Sequence, residues 1–287
     1  MGSPPGEPRR IGYLYLLPAL LVYGLFLLYP LGRAVHLSLF EWDGISLGKF
    51  VGLGNYLEIL QDKGLRASFG HALVLIVFYS ALPVVIGLAL ASVLHRAKVR
   101  GLGLFRTIIF LPQVVAMVVV AVAWRQIYSP DGLLNDVLRA VGLNGRGWLG
   151  DYAFALPAVG VIGTWFETGL VTVLLLAGMA RIPRERFEAA RLDGANAFRE
   201  FFAVTLPAVR GEIAVAVTLT VIAALRTFDL VYITTSGGPG TSTSVPSYEV
   251  YHRAFELGQV GSAAAIGVCL TVLIFGITFG VNRLADR

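Results

Sequence analysis

The sequence is poor in charge and almost without cysteine. Only 14% of its 287 residues are charged, and 56% are apolar; an average soluble domain carries roughly 25% charged residues. With a mean hydropathy of +0.73, there is too little polar surface to clothe a water-facing shell. That excludes a soluble enzyme, a disordered linker protein and a DNA-binding domain. Cys269 is the single cysteine and lies inside an apolar run, so neither an internal disulfide nor a CxxC site exists, and it is expected to pack. The histidines, at 36, 71, 95 and 252, have no spacing that builds a metal site and are expected at interfaces or in loops. No G-x-x-x-x-G-K-[ST] phosphate loop is present: Gly48-Lys49 is followed by Phe50, which lacks the hydroxyl that magnesium needs. Gly101-Leu102-Gly103 is better explained as a helix-entry turn. No nucleophile–base pair and no repeat of 20–50 residues is visible.

What the chain has instead is apolar length. A crossing needs about 20 apolar residues, and six runs qualify, at about 11–31, 71–94, 107–124, 152–180, 213–235 and 260–281. They are continuous rather than alternating, so they predict helices and not a barrel. The first is too long for a signal-peptide core and is followed by no small-x-small cleavage site, which makes it a retained span. The net charge of +5 does not point to nucleic acid, because the basic residues sit between apolar runs. With the N-terminus inside, the cytoplasmic pieces 1–10, 95–106, 181–212 and 282–287 hold 14 Lys and Arg in 60 positions, and the outer pieces 9 in 100. Both termini are therefore expected in the cytoplasm. The expected organisation is a cytoplasmic N-terminus over 1–10 and one transmembrane domain over 11–287, with a short outer helix around Asn55–Gln61.

The longest cytoplasmic stretch, 181–207, has its own local logic. Pro183 suits a helix start; Arg184–Glu188 and Glu188–Arg191 are spaced for ion pairs; Gly194 offers the left-handed conformation that ends or bends a helix. Phe198, Phe201 and Phe202 share a face of a second short helix, and Pro207 leads into the next span. On amphipathicity alone this is a connector lying on the headgroups.

The spacing goes further. Glu188-Ala189-Ala190, Gly194, Val204 and Leu206-Pro207 resemble the EAA motif of ABC-importer permeases, EAA-x3-G-x9-I-x-LP, with valine where isoleucine is usual. Leu16-Leu17-Pro18-Ala19-Leu20, Tyr29-Pro30 closing the first span, Phe50 to Tyr56, Phe228-Asp229-Leu230 and Gly237 to Thr241 are similar to the maltose-transporter type of sugar permease. The likeness covers roughly 11–283 and fits a six-span member of a permease pair. It implies an all-α membrane protein of the type I ABC importer permease fold, multi-pass in the plasma (inner) membrane, with a cytoplasmic coupling helix. In that family the motif docks into an ATPase subunit. Carried over, Glu188, Ala189, Ala190, Asp193, Gly194, Leu206 and Pro207 form the coupling motif, with Arg184, Arg186 and Arg191 around its rim. The implied partners are a second homologous permease, as a heterodimer, two ATPases that bind ATP and magnesium, and an extracytoplasmic sugar-binding protein. The chain itself would hold no cofactor, no metal and no catalytic residue. The implied substrate is a mono- or oligosaccharide, with a glycerol phosphate or polyol as the alternative. A membrane-embedded enzyme or scaffold is the rival class.

Ionisable groups inside spans default to functional hypotheses. Glu167, mid-way along the fourth span, either lines a solvated path, with Trp165 stacking on a sugar ring, or makes an interhelical hydrogen bond. Arg226 and Asp229 are spaced i,i+3 in the fifth span and are expected to pair. Gln113, Tyr232 and Thr235 complete the substrate-path candidates, and an interrupted span points to that path.

Overall fold

The computed structural model describes residues 9–96 and 101–285. The expected cytoplasmic positions 1–8, 97–100 and 286–287 lie outside the described residues. The chain divides into two compact units, Met1–Leu60 with Val250–Cys269, and Gln61–Glu249 with Leu270–Arg287.

In the first unit, α1 runs as Arg9–Tyr23, a π-helical turn Gly24–Leu28, and Tyr29–Leu37. The first span thus continues six residues past 31, and Tyr29-Pro30 does not close it. From Tyr15 to Leu37 none of its residues is buried. A hairpin follows, β1 (Phe40–Glu41) against β2 (Lys49–Phe50). Its turn is fastened by Asp43, whose Oδ1 accepts the Ile45 and Ser46 N–H groups at 2.8 and 2.7 Å. The Ile45 bond, seconded by Ser46, holds that carboxyl below the usual aspartate range. Then comes α2 (Gly54–Gln61), as expected. Asn55 donates from one amide to Ser38 O and Phe40 O, and the Tyr56 hydroxyl bonds Ser38 Oγ at 2.6 Å. The Asn-Tyr pair therefore ties α2 to the end of α1. Arg253 donates to Glu58 Oε1 at 2.6 Å and to Ser262 Oγ at 2.9 Å.

The second unit is built on α3 (Lys63–His95), the pair α4 (Leu102–Val114) and α5 (Met117–Ile127), the short α6 (Leu133–Ala140), and α7 (Ala155–Met179). Next come α8 (Arg184–Leu192), α9 (Ala197–Ala208), α10 (Arg210–Leu225) and α11 (Asp229–Thr234). The chain ends through α12 (Pro246–Tyr251) and α13 (Val260–Ala285).

Among the described residues, four helices are long and apolar enough to cross a membrane, and counting each of two bent pairs as one span brings the number to six. Besides the first, the second and third spans differ from expectation. The second starts at Lys63 rather than 71, which places His71 within the helix, its Nδ1 2.9 Å from Ser244 O. The third is broken, α4 meeting α5 at 96°, because Val115 and Ala116 turn extended just after Pro112. The fifth is interrupted between α10 and α11, at the Arg226 and Asp229 that interrupt its apolar run in sequence.

α7 is the hub, with residues buried along its whole length. A Cβ on Gly163 would fall on the Tyr79 ring of α3, and one on Gly169 on Ile109 O of α4, so small residues let the neighbouring helices approach closely.

Proline recurs in one setting. π-helical turns at Gly24–Leu28, Val77–Ala81 and Phe201–Thr205 are each closed by a residue whose N–H reaches the carbonyl five back: Tyr29 to Gly24, Leu82 to Val77, Leu206 to Phe201. Proline comes next each time, as Pro30, Pro83 and Pro207. A proline ring collides with the carbonyl four residues back and donates no bond. The widened turn moves that carbonyl aside, and the helix continues.

Candidate functional site

Pro183 has extended backbone and α8 begins at Arg184, as the sequence predicts. The helix ends on two bonds: Ala195 N–H to Ala190 O at 2.9 Å and Gly194 N–H to Arg191 O at 3.0 Å. This is a Schellman ending, which requires a left-handed residue at its fifth position, and Gly194 has φ +76°. The interval between the second alanine and the glycine is thus set by backbone geometry: Ala190 is the carbonyl that the ending consumes. Asn196 Oδ1 then caps α9 by accepting Arg199 N–H at 2.9 Å.

The expected ion pairs Arg184–Glu188 and Glu188–Arg191 do not form. Arg191 instead crosses the bend, its Nε donating to Glu200 Oε2 at 3.1 Å; the buried carboxylate of Glu200 outcompetes exposed Glu188. No residue of α8 is buried. Glu188, Ala189, Asp193 and Gly194 are exposed, Ala190 is half-buried, and Leu192 at the tip is 89% exposed. Leu206 is half-buried and Pro207 exposed; Val209 follows with φ −98° and ψ 13°, and the chain turns by 69° into α10. The structure therefore presents a largely exposed helix, touched by its own chain through Phe187, whose ring lies 5.9 Å from that of His95, and through Arg191.

A second feature lies where α10 stops. Arg226 ends that helix, Thr227 and Phe228 are unwound, and Asp229 starts α11, where a carboxylate suits the helix N-terminus. Tyr79 pins the break, its hydroxyl 3.1 Å from Thr227 Oγ1. Around it is a cavity of about 340 Å³ lined by Tyr79, Met117, Glu167, Arg226, Phe228 and Asp229, among others. Irregular backbone at membrane depth is tolerated only inside protein or against such a cavity. Arg226 and Asp229, expected to pair, form no ion pair; the unwound turn removes the i,i+3 register, and both are exposed. The cavity offers carboxylate acceptors, guanidinium donors, a tyrosine hydroxyl and an aromatic ring, a set that suits a polyhydroxylated solute.

Of the path candidates, Glu167 and Asp229 meet in this cavity. Gln113 reaches the backbone next to Glu167: its Nε2 donates to Phe166 O at 2.9 Å. The other three lie elsewhere. Trp165 points away from Glu167 and meets Trp124 edge-on at 5.6 Å, since residues two apart on a helix face opposite sides. Tyr232 stacks on Phe228 at 5.3 Å. Thr235 Oγ1 bonds Thr243 Oγ1 at 2.7 Å and fastens the loop after α11. Sequence reasoning missed Tyr79 and Thr227. Tyr79 sits in a charge-free run, and its only signal is a phenol that must find a partner when buried.

Comparison with known proteins adds the following. The family described as "Binding-protein-dependent transport system inner membrane component" matches residues 83–287. A probable ABC transporter permease protein, YurN, of Bacillus subtilis (strain 168) is 39% identical over 281 residues, 95% of this chain and 94% of that one. The trehalose/maltose transport system permease protein MalF of Thermococcus litoralis is 34% identical over 275 residues, 94% and 91% of the two. Among solved structures, a bacterial alginate ABC transporter in complex with an alginate pentasaccharide-bound periplasmic protein has a chain that matches with a TM-score of 0.81. That match is at 22% identity and covers 96% of this chain and 94% of the other.

Proposed function

The chain belongs to the binding-protein-dependent transport system inner membrane components, and from that membership we propose how it serves as the permease subunit of an ABC importer. It is a transport component rather than an enzyme. Its substrate is a neutral sugar, mono- or oligosaccharide, received from an extracytoplasmic binding protein. Of the relatives named above, MalF belongs to a trehalose/maltose transport system and the solved structure to an alginate transporter. The cavity at the α10–α11 break holds two carboxylates and one arginine. Clustered cations, which a glycerol phosphate would want, are absent among its lining residues, so the phosphate alternative is the weaker one.

Glu188, Ala189, Ala190, Asp193 and Gly194 form the face that enters a partner ATPase, with Leu206 and Pro207 at the base. The observation that supports this is the largely exposed α8, which has no fully buried residue and yet is held by a Schellman ending and an ion pair. Two such ATPases bind ATP and magnesium, and a distinct second permease completes the assembly. The basic residues of 181–212 support a cytoplasmic setting for this face and for both termini. Glu167 and Asp229 line the path.

The test is co-purification from detergent-solubilised native membranes, with and without Gly194→Val. An ATPase that travels with the native chain and is lost from the variant, at equal membrane abundance, supports the assignment. An ATPase absent from both, or equally present in both, overturns it.

A further inference from the structure

Within the first unit, the β1–β2 hairpin, the start of α2 and the entry to α13 enclose a cavity of about 650 Å³. Glu41, Trp42, Asp43, Asn55, Glu58 and Gln259 line it, and none of them belongs to the cavity at the α10–α11 break. Some of these groups are already engaged. Glu58 accepts Arg253 Nη1 at 2.6 Å and Ser262 Oγ at 3.2 Å, and Gln259 Oε1 accepts the same guanidinium at 3.2 Å.

Asn55 is the informative side chain. The residue is only 8% exposed, and its Nδ2 donates to Ser38 O and Phe40 O at 2.8 and 2.9 Å. Two carbonyl acceptors fix which end of the amide is nitrogen. Oδ1 therefore faces the other way, and no donor among the described residues reaches it. A desolvated oxygen left without a donor is costly, so it calls for one from a ligand. Glu41 and Asp43 add two carboxylates that form no ion pair among the described residues. Lys49 stands opposite Glu41 in the hairpin register but does not line the cavity.

This set discriminates between ligand classes. The carboxylates repel an anion. Among the described residues no three acids, histidines or cysteines gather closely enough to hold a metal ion. A nitrogen cation matches: its N–H groups only donate, carboxylate and amide oxygens accept them, and the Trp42 indole attracts the charge. We propose that this cavity binds a guanidinium or primary ammonium group arriving from the outer face. The outer placement rests on the orientation given above. The cation comes either from a basic side chain of the extracytoplasmic binding protein or from a free polyamine.

The test is saturation-transfer NMR on the detergent-solubilised importer with N-acetyl-arginine amide and its uncharged isostere, N-acetyl-citrulline amide. The arginine probe should bind at least roughly tenfold more tightly. Glu41→Gln loses no hydrogen bond recorded among the described residues, and Asp43→Asn keeps the Oδ1 that fastens the turn; together they should weaken the arginine probe roughly tenfold. Equal binding of the two probes, or undiminished binding by the double variant, overturns the proposal. Spermidine should displace the arginine probe, and its failure to do so overturns the ligand class. The binding protein then separates the sources. Displacement by it as well assigns the cation to one of its basic side chains, and its indifference assigns the cation to a free polyamine. Probe binding is read whether or not an ATPase co-purifies, so failure here is distinct from failure of the coupling assignment.

Discussion

Arg191 and Glu200 clasp the two arms of the cytoplasmic element across Gly194, 3.1 Å from Nε to Oε2. The pair is lopsided: the arginine side chain is 64% exposed and the carboxylate 4%. Removing the arginine deprives a desolvated carboxylate of its ion-pair partner, while removing the acid leaves a cation that water accepts. Arg191→Ala should therefore lower the ATPase rate of the assembled importer more than Glu200→Gln does. Because one partner is solvated, the coupling in a double-mutant cycle should be modest, about 0.5–1 kcal/mol. Strict additivity would show that the clasp transmits nothing.

Gly194 tests backbone geometry alone. No atom lies within 4 Å of where its Cβ would be, so substitutions act through φ +76° and not through collision. Alanine should cost about 1–2 kcal/mol of local stability, asparagine less, and valine most, since a β-branched residue is a strong outlier there. ATPase co-purification and uptake should fall in the order Gly, Asn, Ala, Val. An order that follows side-chain size instead of left-handed tolerance would contradict the Schellman account.

That helix ending was legible in sequence because its bonds are local: Pro183, Ala190 and Gly194 lie within twelve positions. The same holds for α2 and for the apolar runs. What sequence could not show is competition between distant partners. Arg191 chooses Glu200 because the fold buries that acid; Arg226 and Asp229 separate because the helix between them unwinds. The broken third span looked continuous because hydropathy registers length and not the extended Val115 and Ala116. Trp165 and Glu167 are near neighbours in sequence, and helical geometry sends them to opposite sides.

That separation gives a paired prediction. Glu167 lines the cavity and Trp165 does not. Losing a hydrogen bond to a charged group costs about 1.5–3 kcal/mol, so Glu167→Ala should reduce uptake roughly ten- to hundredfold at unchanged abundance. Asp229→Ala should do likewise. Trp165→Ala should leave uptake within about twofold, because its ring is engaged by Trp124. Substrate-concentration curves of uptake in vesicles distinguish these outcomes. A Trp165 defect equal to that of Glu167 would return the ring to the path.

Pro207 sets the phase between coupling element and span. Its ring is accommodated by the wide turn Phe201–Thr205, in which Leu206 N–H reaches Phe201 O. With Pro207→Ala the reason for that turn disappears. An α-helical turn is favoured intrinsically, and recovering it rotates everything upstream by about 100°, one residue's share of the helix. Arg191 and Glu200, both upstream of the turn, would rotate together with their ion pair intact, and α8 would point elsewhere relative to α10. Pro207→Ala should accordingly weaken ATPase co-purification even though alanine is the better helix former. Pro30→Ala, which removes the same chemistry from α1, should leave co-purification intact. If both variants behave alike, the defect comes from general helix stability and the phase argument fails.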